Sequence, residues 1–441
     1  MKTTRRVAAA AATFLTATAL AACSSSDSDS DASGDGGDSG EPTTVTVLSG
    51  TIVESPEGDI EQSIADEFMA EHPDITIEFI GVPSNELQPK LVAMASSGTL
   101  PDIFFNDPAF AAKAVDLGAP ADMTEVLGED FVSGFDQQGI DQATVDGSMT
   151  FAPWYGVPTG LIYRADWFED EGLTPPETWD EFVDVAQQLT GDTDGDGETD
   201  RWGVALLGSA DLSGAGRFLP ILRSFGAVEL EADGDSWTTS YDSPEGAAAF
   251  QLYGDLVNKY EVTPVGTLST SYPEAVNLMG SGTTGMMVSG SNAIGAILAQ
   301  NPELEGKLAA VPIPHAEGHE PAANLGLGGY SVSDTSENKE AAAEYLKFLL
   351  DEENQVAWSD GTGRIPMRTD ALDEIQSAEG DLAGFVDAIQ YGYAPPQADF
   401  YSTVMLAGTE AYQAVILEQD TAQEGADAAA EATRKEIDNA G

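Results

Sequence analysis

The sequence predicts an α/β fold with enough chain for two or more lobes. Three observations predict it. Strand-like and helix-like segments alternate from residue 43 onward, and residues 43–441 can bury a sizeable core. The single cysteine, Cys23, allows no intramolecular disulfide, so the core rather than covalent staples must hold the fold.

The elements follow in order. "TTVTVLSG" (43–50) reads as a buried first strand. "DIEQSIADEFMAEHP" then places Ile60, Ile64 and Phe68 four apart, one apolar face of a helix. "ITIEFIGV" alternates apolar residues as a second strand, "ELQPKLVAMASSG" is a helix ended by Gly98, and "PDIFFND" is a third strand. This β-α-β-α-β order implies a mainly parallel sheet. Farther on, "MTFAPWYGVPTGLIYRADWFEDEGL" has strand character around a Pro-bounded crossing. "TWDEFVDVAQQLT" is a helix opened by the capping pair Thr178 and Glu181. "SPEGAAAFQLYGDLVNKY" is helical, "TTGMMVSGSNAIGAIL" is a strand, a turn and a helix start, and "GGYSVSD" is a strand leading into the helix "NKEAAAEYLKFLLDEENQVAWS". Helical patterns around 402–418 and 423–437 close the chain, and no internal repeat is present.

Ahead of this body, residues 1–22 run from Lys2, Arg5 and Arg6 through "VAAAAATFLTATAL" to small residues, the order of an export signal and short for a membrane span. Leu20-Ala21-Ala22-Cys23 resembles a bacterial lipobox, in which the cysteine is lipidated and becomes the mature N-terminus. Residues 24–42 are almost wholly Ser, Asp, Gly and Ala and read as a disordered tether. Its flexible reach is about 25 Å, enough to hold a globular body beside a membrane through the lipid.

The chain carries 76 acidic and 17 basic residues, a formal charge of −59. So acidic a surface repels nucleic acid and anionic headgroups, and it favours a neutral ligand over a strongly anionic one.

"DTDGDGETDRWG" (192–203) has the spacing of a Ca²⁺ loop. Asp192, Asp194 and Asp196 stand at positions 1, 3 and 5, Gly197 at the sharp turn, Glu198 at the backbone-carbonyl position and Asp200 at position 9. Gly203 occupies position 12, where the loop ordinarily places a bidentate Glu, so a bound calcium would be structural and completed from elsewhere. The sequence contains no Gly-x-Ser-x-Gly elbow, His-Glu-x-x-His motif or phosphate loop. His315 and His319 are four apart, but in the loop-forming "PIPHAEGHEPA", and read as solvated.

In this order the segments "GTLPDIFFND", "PWYGVPTGLIYRADWFEDEGLTPPETWDEF", "GTTGMMVSGS", "LGGYSVSDTSENKEAAAEYLKFL" and "GRIPMRTDAL" resemble the extracellular solute-binding proteins of ABC importers, the sugar-binding family that includes the maltose-binding proteins. The resemblance implies a two-lobed, periplasmic-binding-protein-like fold with a ligand cleft at the hinge. On that template residues 43–153 plus 311–362 form one lobe, and 154–310 plus 363–441 the other. It implies no catalysis. Instead it implies a lipid-anchored monomer on the extracytoplasmic face of the membrane that hands a sugar to the permease subunits. The alternatives are a membrane-tethered glycan-processing enzyme, or a receptor for a polyol or a glycerol phosphate ester.

The family's cleft positions fall here on Thr51 and Glu54 after the first strand, Asn106 and Asp107 after the third, and Trp154 and Tyr155 at the crossing. Farther along they fall on Arg217, on Asn292 (where relatives often carry Trp), on Gly328, Gly329 and Tyr330, and on Arg364 and Tyr401. Trp154 and Tyr401 are the expected stacking platforms.

Overall fold

The computed structural model describes residues 42–234, 236–378 and 380–440. The export signal, Cys23 and nearly all of the tether lie outside them. No helix among the described residues is long and apolar enough to cross a membrane.

The first strand, Thr43–Ser49, pairs in parallel with Ile75–Gly81 on one side and with Ile103–Asn106 on the other. This is the β-α-β-α-β unit read from the alternation. Its six-stranded sheet is completed from the opposite direction: Gly328–Val332 lies antiparallel to Ile103–Asn106, Ala152–Gly156 antiparallel to Gly328–Val332, and Ile365–Pro366 antiparallel to Ala152–Gly156. The sheet is therefore mixed rather than mainly parallel. Parallel neighbours need a helical crossover on the same sheet, whereas Ala152–Gly156 leads out to a second sheet, Gly328–Val332 returns from it, and Ile365–Pro366 follows the helix Glu352–Thr362.

That second sheet has four strands, in the order Leu308–Val311, Thr159–Arg164, Thr284–Gly290 and Trp202–Val204. The chain passes between the sheets at Val157-Pro158, a two-residue link between strands Ala152–Gly156 and Thr159–Arg164. It returns after Val311, where the Val157 N–H donates to the Leu325 carbonyl and the Thr159 hydroxyl to that of Asn324. Beside this crossing, Ala323–Asn324 pairs with Gly392–Tyr393.

Val45, Val47, Phe68, Ile103, Trp154, Tyr330, Tyr345 and Trp358 are buried in a first core that also takes Ile162, Met287 and Leu308 from the second sheet, and Phe182, Phe218, Tyr241, Phe250, Tyr253 and Tyr412 in a second. The helix read as one segment over 338–359 is two, Lys339–Leu349 and Glu352–Thr362. Asp351 breaks it, because its carboxylate accepts the Asn354 N–H and caps the second helix.

Candidate ligand-binding site

The first strand is where this sheet's strand order reverses, because the chain moves outward to Ile75–Gly81 and then back to the far side at Ile103–Asn106. The loops leaving two such strands diverge and open a crevice at their carboxyl ends. A cavity of about 260 Å³ lies there, lined by Gly50, Thr51, Glu54, Ser84, Gln88, Phe105, Asn106, Asp107, Tyr155 and Arg364 among others. Six of the sequence-derived candidates thus meet in one place: Thr51, Glu54, Asn106, Asp107, Tyr155 and Arg364.

Each is held by an identifiable partner. The Arg364 guanidinium lies 4.5 Å above the centre of the Tyr155 ring, and its Nη2 donates to Glu57 at 2.9 Å and toward Glu54 at 3.5 Å. Burial pushes the Tyr155 phenol up to about 12, even with Arg364 pulling it down. Asp107 caps the helix Pro108–Asp116 by accepting the Phe110 N–H at 2.9 Å. Burial still raises its carboxyl above the usual range, and its other oxygen has only Gln88 at 3.5 Å. Asn106 spends its side chain internally, donating to Ser331 and accepting from the Asp107 N–H. Glu54 accepts from Ser84.

Thr51 is held from behind. Its hydroxyl donates to Glu61 at 2.7 Å, Ser49 donates to the same carboxylate at 3.0 Å, and Tyr330 donates from Gly328–Val332, two strands away from the first. Glu61 is wholly buried. It stands behind the cavity wall, not on it.

Other candidates lie elsewhere. Trp154 is not a platform: it is 0 % exposed, with its ring 4.1 Å from that of Trp358 and 5.3 Å from that of Tyr330. Gly328 and Gly329 serve the strand, since an added Cβ would strike Phe105 at Gly328 and the Ala152 carbonyl at Gly329. Tyr330 is buried against Glu61. Arg217 sits on the helix Leu212–Ser224, 4.7 Å above the Tyr272 ring. Asn292 opens the helix Asn292–Gln300 against Gly363, next to Arg364, and its Oδ1 is buried without a partner. Tyr401 stands in a separate cluster, donating to Glu229 at 2.7 Å, where Arg223 grips the same carboxylate.

Sequence reasoning missed Ser84, Gln88 and Phe105 on the cavity wall and Glu61 behind it. A signal existed for Glu61: with Ile64, Ala65 and Phe68 it forms the buried face of its helix, whereas the marked Ile60 lies at that face's edge.

In the 192–203 loop, carboxylate oxygens of Asp192, Asp194 and Asp200 lie within 4.8 Å of one another, all exposed. Asp196 instead accepts the Glu198 N–H, and Glu198 is outside the group. Gly203 cannot be the missing Glu, because a Cβ there would run into the Ala186 carbonyl of the packed helix.

A model of the bacterial extracellular solute-binding protein family matches residues 54–356. The lactose-binding protein of Rhizobium radiobacter is 26% identical over 301 residues, covering 66% of this chain and 67% of the relative. The maltotriose-binding protein of Pyrococcus abyssi is 23% identical over 341 residues, 76% of this chain and 70% of the relative. Among solved structures, a cyclic α-maltosyl-1,6-maltose binding protein from Arthrobacter globiformis aligns with a TM-score of 0.72 at 27% identity, over 90% of this chain and 100% of that one. Maltose-bound MalE3 of T. maritima matches with a TM-score of 0.72 at 24% identity, over the same shares.

Proposed function

From the premise that the chain belongs to the bacterial extracellular solute-binding proteins, we propose that it captures an extracellular sugar and delivers it to membrane permease subunits from a lipid anchor at Cys23. It is the non-enzymatic binding component of an ABC transporter. The observation that carries the sugar reading is the cavity at the strand reversal, where the rings of Phe105 and Tyr155 adjoin Asp107, Gln88, Glu54 and Arg364. Aromatic faces suit the apolar side of a sugar ring, and the planar polar groups suit its hydroxyls. The lactose- and maltotriose-binding relatives support the same substrate class.

The two sheets divide the body into two lobes that close on the ligand about Val157-Pro158 and the strands beside it. The pairing of Ile365–Pro366 with Ala152–Gly156 supports counting 154–156 and 365–366 with the first lobe. Tyr155 takes the platform role. Equilibrium binding of a sugar panel to the purified full-length protein tests this reading. Tyr155→Ala should weaken the best sugar by about 5- to 150-fold, or about 1–3 kcal/mol. A sugar that returned hydrolysed, or a panel in which none bound, would defeat it.

Calcium at Asp192, Asp194 and Asp200 and lipid on Cys23 complete the proposal, the first with a structural role. A melting temperature unmoved by chelator removes the calcium, and an intact mass with bare Cys23 in native membranes removes the anchor.

A further inference from the structure

Among the described residues every arginine but one grips a carboxylate. Arg164 holds Asp166, Arg201 holds Glu171, Arg223 holds Glu229, Arg364 holds Glu57, Arg368 holds Asp370 and Arg434 holds Asp242. Three of these use one edge of the guanidinium, Nε together with Nη2, to take both oxygens of a carboxylate. Arg217 is the exception, in a chain with 76 acidic residues. Its Nη1 is spent on Ser213, at 3.0 Å from the hydroxyl. Its Nε is buried with no partner, and its Nη2 has only the Ser289 hydroxyl, at 3.5 Å. The edge that elsewhere takes a carboxylate is therefore unfilled. Asp211, at the start of the same helix, is occupied by the Gly214 N–H and Ser209.

Arg217 does not line the cavity that holds Arg364. Its guanidinium covers the half-buried Tyr272 ring at 4.7 Å, and its Nη2 reaches Ser289 near the carboxyl end of the second-sheet strand Thr284–Gly290, the end of an α/β strand where ligands bind. A buried guanidinium N–H without an acceptor is costly, and a planar two-oxygen anion fits this open edge with two parallel charge-assisted hydrogen bonds.

We propose that Arg217 selects a carboxylate on the ligand, so that the sugar captured is an acidic one, a uronic acid or a short saccharide bearing one. This inference rests on the sugar-binding reading above and narrows it, against the neutral ligand that overall charge favours. Bringing an oxyanion to the edge requires an open cleft, because Nε is shut off from solvent in this arrangement.

Isothermal titration of the full-length protein with glucuronate, galacturonate, glucose, galactose, lactose and glucose 6-phosphate tests it. The expected result is a uronate binding at least about tenfold more tightly than its neutral parent. That ratio should collapse in both Arg217→Gln and Arg217→Lys, since lysine keeps the charge but loses the fork. Neutral sugars binding better than uronates, or glucose 6-phosphate binding better than either uronate, would overturn the carboxylate assignment while leaving a sugar receptor. An undiminished uronate preference in both variants would overturn the role of Arg217. Binding of no sugar at all would overturn the sugar reading and this inference with it. The wild-type ratio decides the ligand class even if neither variant folds.

Discussion

Replacing Trp154 by alanine should lower stability by about 3–5 kcal/mol, and should do so in the sugar-free protein. The indole is fully buried in the first core, between Trp358 and Tyr330, with Tyr155 at 5.4 Å. Its Nε1 has no hydrogen-bond partner, so the loss is one of packing. A void bounded by three other aromatic rings cannot collapse without moving the strands that carry them, which places the cost high in the range for an aromatic truncation. Trp154→Phe keeps most of the volume and should lose less. Urea denaturation without ligand measures both. A Trp154→Ala protein as stable as wild type but unable to bind sugar would reverse the assignment and return Trp154 to the cavity wall.

The burial of Trp154 beside a Tyr155 that lines the cavity shows where the sequence stops being legible. The strand Ile75–Gly81 and the helix Glu57–Glu71 could be read because each has one buried face and one wetter face, and hydropathy reports that difference directly. Ala152–Gly156 is buried at every position. A strand covered on both faces carries no alternation from which to tell the core side from the cavity side, and its pairing with Gly328–Val332 slips in register at Gly328/Gly329.

Loop-borne candidates fared better. Thr51, Glu54, Asn106 and Asp107 follow the carboxyl ends of strands that flank the reversal, so topology alone brings them together. Tyr401 and Arg217 are different, because what surrounds them comes from far along the chain. Glu229 is 172 residues from Tyr401, and Ser289 is 72 from Arg217. No local pattern encodes such partners. Gly203 belongs with them: the residue that looks like a defect in a calcium loop is fixed by the close approach of the helix Trp179–Leu189.

Glu61→Ala should also cost about 3–5 kcal/mol, for a different reason. The carboxylate accepts three hydroxyls in a site with no water-facing surface. Without it Ser49 and Thr51 can still bond each other across their 3.0 Å separation, but the Tyr330 hydroxyl is left without an acceptor and a void opens beside it. Thr51 lines the cavity, so the same change should loosen that wall. Glu61→Gln keeps the shape and removes the titration, which makes it the reference for a pH experiment. Burial raises the Glu61 carboxyl above its ordinary value of 4.5, against the pull of Tyr330, Thr51 and Ser49. The folded chain therefore holds this proton more tightly than the unfolded chain. Its contribution to stability is complete below about pH 4.5 and is lost as the pH rises through the elevated folded value, by about 1.4 kcal/mol for each unit of displacement. Measured as the difference between wild type and Glu61→Gln, the other carboxylates cancel, and wild type should lose ground steadily from pH 4.5 upward until the folded value is passed. Urea midpoints of both proteins between pH 4 and pH 8 give that difference. A gap independent of pH, or one that moves in favour of wild type on the alkaline side, would mean that Glu61 stays charged in the folded protein and that the three hydroxyls outweigh its burial.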